Sequence, residues 1–196
     1  MKRRALLLAV PCVALAEPEL AARIQARLRQ APLLRGRFEQ EKALQGFAQP
    51  LKSSGDYLLL RGKGLLWRTA KPFASQLVVT REAIRSEGAG AFRLDAQREP
   101  AVRLITTLLL ALLDGNLAAL QAQFELTGRD GANWKAELVP QAPALAKLFT
   151  RIELDGDSQV RRIRLLEAQG DSTLIRFAEQ SEQPAQLTTE ESKALE

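Results

Sequence analysis

Apolar residues recur every four positions between Pro18 and Ala31, where Leu20, Ile24 and Leu28 form a stripe beside Arg23 and Arg27. This spacing predicts an amphipathic helix, opened by Pro18 and stopped by Pro32. The period then drops to two. In LLRGRFEQEKAL, Leu34, Gly36, Phe38 and Gln40 share one face, while Arg35, Arg37, Glu39 and Glu41 share the other, expected to be solvated. Further strands are expected at Gly55 to Leu60, Gly64 to Thr69, Ser75 to Thr80, Ala83 to Ser86 and Ala91 to Leu94, several of them separated by glycine-containing turns. At Glu99-Pro100 the grammar changes. AVRLITTLLLALLDGNLAAL reads as helix, with Gly115 as a stop and Asn116 opening a second, short helix.

A second set of strands follows. AQFELTGRD and NWKAELVP flank Asp130-Gly131, a hairpin signal, and Pro143 to Leu148 reads as a helical turn. FTRIELDGD, QVRRIRLLEAQGD and STLIRFAE then alternate cleanly through Ile152 and Leu154, Val160, Ile163 and Leu165, and Leu174 or Ile175 with Phe177. From Ser181 to Glu196 the chain is polar and is expected to fray. The pattern describes an α+β fold: an antiparallel meander of about ten strands, long enough to curl. Helices inserted in mid-meander would cover its concave face.

The N-terminus changes the meaning of the charge. Lys2, Arg3 and Arg4 precede an apolar run from Ala5 to Leu15, closed by Ala14-Leu15-Ala16 before Glu17-Pro18. This is the grammar of a secretory signal peptide, too short for a membrane-spanning helix. The expected organisation is a signal peptide over 1–16, one domain over 17–180 and a polar tail over 181–196. The formal charge is +5, from 28 basic and 23 acidic residues. Cleavage would remove three basic residues and leave 25 against 23, near +2. That weakens any case for nucleic acid. The one cysteine, Cys12, falls inside the signal, and Pro11 before it is wrong for a lipid-attachment motif. The mature chain is expected in the periplasm.

No histidine occurs anywhere, and the expected mature chain has no thiol. The commonest general base, the thiol nucleophile and the soft metal ligands are therefore missing. Nucleophile-elbow, phosphate-loop and dinucleotide motifs are also lacking. The close acidic pairs, Glu39 with Glu41 and Asp155 with Asp157, read as surface and turn residues. No catalytic residue, metal or cofactor is expected.

What remains is apolar surface with one cation in it. LITTLLLALL is apolar nearly all round, with Leu104, Leu108 and Leu112 along one face; it is either core or a lid over something apolar. Parity places Tyr57, Leu59 and Arg61 on one face of their strand and Leu65 with Trp67 on one face of the next. An Arg61 turned inward needs acceptors, because an unpaired buried charge is costly. A lid carbonyl would serve; a solvent-facing arginine is the alternative.

Motif order now becomes informative. Phe38 and Gln40, Ser54-Gly55-Asp56-Tyr57, Arg61 through Trp67, Pro72, and Gln76-Leu77-Val78-Val79 resemble the LolA family of periplasmic lipoprotein carriers. Asp114-Gly115, Leu120, Phe124, Trp134, Leu138 with Pro140, and Glu167 to Phe177 extend the resemblance over most of the chain. It implies an unclosed antiparallel β-barrel, a half-barrel, whose helices form a lid over an apolar cavity for acyl chains. It implies an acylated lipoprotein or lipid cargo, an inner-membrane donor of the LolCDE kind and an outer-membrane acceptor of the LolB kind, and a monomer. The family arginine that holds the empty cavity closed matches Arg61 in its spacing from both Gly55 and Trp67. Leu65 stands where the family often has phenylalanine, and Gly62 where it has proline. Both departures resemble members linked to lipid or aryl-polyene export. A non-carrier interaction or sensor module on the same fold is the alternative.

The implied ligand-binding residues are Phe38, Tyr57, Leu59, Arg61, Leu65, Trp67, Leu77 and Val79 from the first strands. Leu104, Leu108 and Leu112 come from the helix and Phe124 from the second set of strands.

Overall fold

The computed structural model describes residues 17–87 and 91–195, so the expected signal peptide lies outside the described residues. The chain opens with α1 (Glu17–Arg27) and then lays down β1 (Leu33–Ala43), β2 (Leu51–Leu60), β3 (Gly64–Lys71), β4 (Ser75–Thr80), β5 (Ala83–Glu87) and β6 (Phe92–Asp95). Two helices follow, α2 (Pro100–Asp114) and α3 (Leu117–Gln121). The second meander comprises β7 (Phe124–Arg129), β8 (Trp134–Pro140), the short α4 (Pro143–Ala146), β9 (Phe149–Gly156), β10 (Val160–Glu167) and β11 (Ser172–Ser181). A last helix, α5 (Thr189–Ala194), ends the described chain.

These strands form one antiparallel sheet in the order β6-β5-β4-β3-β2-β1-β11-β10-β9-β8-β7. The two meanders join where β1 meets β11, with Phe38 opposite Phe177. The outermost strands, β6 and β7, are not paired with each other, so the sheet is a half-barrel and not a closed one. The helical insertion connects those two open edges in the chain. Its packing against β4, β5, β6 and β10 places it over the concavity.

The concave face holds the main core. Ile24 and Leu28 of α1, Phe38, Leu59, Leu112, Leu138 and Ile152 are all buried in it. Trp134 is fully buried there, and its indole N–H donates to the Asp157 carbonyl at 2.7 Å. Helix α1 ends at Arg27, before the expected Ala31, and the Arg29 N–H donates instead to the Ser158 carbonyl. Strand β2 starts at Leu51, earlier than expected, because Lys52, Ser53 and Ser54 continue the ladder with Glu41, Gln40 and Glu39.

The convex face departs most from the sequence reading. Residues beyond Ser181, expected to fray, turn back across it and form α5. Thr188 and Glu191 cap that helix reciprocally. Leu187, Ala194 and Leu195 cover a second, small core of Leu33, Leu58, Leu66 and Val78. Arg35, expected in water, is largely buried, and its guanidinium donates to both carboxylate oxygens of Glu191 at 2.6 and 2.9 Å. Arg68 approaches the same carboxylate at 3.5 Å. The runs YLLL and GLLW are thereby explained. Strands covered on both faces read as continuous apolar sequence, not as alternation.

Candidate functional site

The site is built by the concave faces of β3, β4, β10 and β11 below α2. Leu65 and Trp67 of β3, Leu77 and Val79 of β4, and Leu109, Leu112 and Leu113 of α2 line an apolar cavity. Gln40, Ile163, Leu165 and Ile175 complete it. Its volume is about 150 Å³. A ligand pocket for a drug-sized molecule is typically ~300–1,000 Å³, so any ligand of that size would require the sheet and α2 to separate. A larger hollow of about 540 Å³ lies across β7–β10. Its walls include Arg129, Lys135, Glu137, Glu153, Asp155 and Arg162, a lining suited to water and ions.

Aromatic packing stiffens the sheet wall. Phe38 stacks on Trp67 with ring centroids 3.7 Å apart, and the Tyr57 ring meets Phe177 edge-on at 5.2 Å. The Tyr57 hydroxyl accepts from the Gln180 side chain at 2.8 Å. Burial pushes this phenol up to about 12, against smaller opposing effects of the Gln180 hydrogen bond and Arg161. It stays neutral at any physiological pH.

The far end of the site is a polar cluster around Arg61. Arg61 follows β2 in the turn to β3, and its side chain reaches across to the helices. Nε donates to the Ala31 carbonyl at 2.8 Å and Nη2 to the Arg29 carbonyl at 2.9 Å, both in the segment leaving α1. Nη1 donates to the Asp114 carbonyl at 2.9 Å and pairs with Asp114 Oδ1 at 3.2 Å, at the end of α2. Gly115 makes this geometry possible. It adopts the left-handed conformation (φ 64°) that turns the chain off α2, and a Cβ there would lie 2.3 Å from Leu28. A cation at a helix C-terminus also interacts favourably with the helix dipole. Burial holds the Asp114 carboxyl above its ordinary value, while Arg61 and then Arg81 pull it down.

The twelve residues read from sequence divide by position. Leu65, Trp67, Leu77, Val79 and Leu112 line the cavity. Phe38, Tyr57, Leu59 and Leu108 are buried in the surrounding core, and Leu104 is half-buried against it. Phe124 belongs to that core on edge strand β7 and does not line the cavity. Arg61 lies outside the cavity, bonded to the segment leaving α1 and to the end of α2. Sequence reasoning did not select Gln40, Leu109, Leu113, Ile163, Leu165 or Ile175. The alternation of β10 and β11 picked out Ile163 and Leu165 and left Leu174 or Ile175 open. The β1–β11–β10 order, with Gln40 opposite Ile175 and Ile175 opposite Ile163, brings them to the cavity.

The family model described as "Outer membrane lipoprotein carrier protein LolA" matches residues 29–189. None of the curated protein sequences matches the chain. A DUF1329 family protein from Desulfovibrio piger superposes with a TM-score of 0.53 at 11% identity, over 91% of this chain and 97% of that one. MucB superposes with a TM-score of 0.50 at 12% identity, over 89% of this chain and 62% of its own. A LolA superfamily protein from Nitrosomonas europaea gives 0.47 at 8% identity, over 86% and 94%. At such low identity the first two superpositions establish the fold alone. The match over 29–189 goes further: the chain belongs to the LolA family of outer membrane lipoprotein carrier proteins.

Proposed function

We propose that this protein is a periplasmic carrier that shelters the acyl chains of a lipoprotein, or of a related lipid, between its sheet and α2 during transfer to the outer membrane. One observation carries the reading: an apolar cavity whose helical cover is held at one end by a single, multiply bonded arginine. Such a site needs no covalent chemistry. Each buried methylene contributes roughly 0.8 kcal/mol, so about four methylenes offset a latch of about 3 kcal/mol. Longer chains supply net affinity, and binding becomes a shift between closed and open populations. Donor and acceptor would be membrane proteins of the LolCDE and LolB kinds, and the carrier would work as a monomer.

The test is native mass spectrometry of protein isolated from the periplasm, paired with displacement of a fluorescent fatty-acid probe. Co-purifying acylated species and saturable probe binding are expected. Protein that is repeatedly empty and binds no probe would overturn the proposal. That result would favour a non-carrier interaction module, a second reading supported by the small volume of the closed cavity. Acyl species that are not lipoproteins would reassign the cargo to a free acyl or polyene lipid.

A further inference from the structure

The sheet has two unlike ends. One carries the Arg61 latch. At the other, the β1–β2, β3–β4, β8–β9 and β10–β11 connections come together, tied by the Gln45 N–H to Asp171 Oδ1 and the Ala168 N–H to the Leu148 carbonyl, both at 2.9 Å. This loop end is apolar where it should be wet. Phe73 is 82% exposed, Phe47 68%, Leu51 58% and Leu148 40%. Phe47 and Phe73 stand on hairpin connections two strand spacings apart across the sheet, roughly 10 Å in that direction. Exposed apolar groups gathered in this way mark an interaction surface.

Charge identifies what the surface fits. Lys52, Lys71 and Lys147 flank these tips, all exposed, and none has an ion-pair partner among the described residues. Basic groups on the adjoining strands are paired instead: Lys42 with Glu167, Arg176 with Glu41. Asp171, the acid in the β10–β11 turn, already accepts from Gln45. Protruding phenyl rings flanked by three exposed lysines, with Glu39 and Glu41 sharing a hollow with Lys52 and Lys71, fit a bilayer interface. It accepts apolar tips without shape complementarity, and its anionic headgroups attract lysine.

We infer that the loop end docks on an anionic phospholipid surface, with Phe47 and Phe73 entering the interface and Lys52, Lys71 and Lys147 facing the headgroups. The docked face is the end away from the latch.

The experiment is flotation of the full chain, without cargo, on phosphatidylcholine vesicles with and without phosphatidylglycerol. Binding is expected on the phosphatidylglycerol vesicles and should weaken with salt. The pair Phe47→Ser with Phe73→Ser should lower partition at least about thirtyfold. Lys52→Gln and Lys71→Gln should each lower it roughly fivefold, on anionic vesicles only. Exposed substitutions of this kind usually leave folding intact, which a thermal melt verifies. Absence of vesicle binding by the wild type, or equal binding by the double phenylalanine variant, overturns the inference. So does self-association that this variant abolishes without vesicle binding, since a second copy would then cover the patch. Because no cargo is present, failure here leaves the carrier reading standing, and failure of the acyl-binding assay leaves this one standing.

Discussion

Replacing Arg61 by leucine should loosen α2 while leaving the sheet intact. The guanidinium makes three hydrogen bonds to carbonyls and one contact to the Asp114 carboxylate, and the side chain is only 17% exposed. Hydrogen bonds to a charged group contribute about 1.5–3 kcal/mol each, but bonds sharing one side chain do not add. Loss of one partner of a buried pair costs about 3–5 kcal/mol. The partial exposure argues for the low end, about 3 kcal/mol. If that loss falls on the closed state, the population with α2 released rises roughly a hundredfold. Hydrogen exchange resolved along the chain is the assay. Amides of α2 between Val102 and Leu113 should exchange faster by about that factor, while those of β1, β10 and β11 should change far less. Arg61→Lys should fall between, because an ammonium cannot span carbonyls on both helical segments. A second readout is pH. Burial already holds Asp114 above its ordinary value, and removal of Arg61 takes away its largest opposing effect. A carboxyl with a raised folded-state pKa favours folding when neutral and loses that contribution as pH rises through it. Docking of α2 in Arg61→Leu should therefore improve on acidification. Unchanged α2 protection relative to the sheet would refute the latch.

Glu191 offers the opposite sign. Its hydrogen bond from Arg35, the largest cause, holds the carboxyl at about 2, below its ordinary 4.5. That stability, on the order of 3 kcal/mol, is complete above pH 4.5 and lost as pH falls toward 2. Denaturant melts of wild type and Glu191→Gln should differ at neutral pH and converge in acid; a constant gap would refute the pairing. Tyr57 is the only tyrosine, so absorbance at the tyrosinate band reports it alone. Its midpoint should lie near 12 in the folded protein and return to about 10 when unfolded, so alkaline stability falls as pH rises through that window; a folded-state midpoint near 10 would contradict its burial. Gly55→Ala should destabilise by more than about 2 kcal/mol, since a Cβ there would lie 1.9 Å from the Arg68 carbonyl oxygen; an unchanged melting temperature would mean the strands can part at no cost.

Local pattern decided much of this molecule. Period two in β10 and β11, period four in α1, and the Gly115 stop placed the elements, because backbone geometry repeats along the chain and writes itself into neighbouring residues. Motif spacing singled out Arg61 and the family. Pairing β11 with β1 was a tertiary decision, since it joins residues more than a hundred positions apart for which no local period carries information. That pairing brings Ile163 and Ile175 to a cavity whose other wall is Leu65 and Trp67. The same holds for the convex face. Arg35 alternates like a solvated residue, and Ser181 to Leu195 has the composition of a loose tail. Yet folding seats Glu191 between Arg35 and Arg68 and packs Leu187, Ala194 and Leu195 against Leu58 and Leu66. Polarity in sequence states what a side chain can tolerate. Only the folded chain supplies the partner that lets a charge leave water.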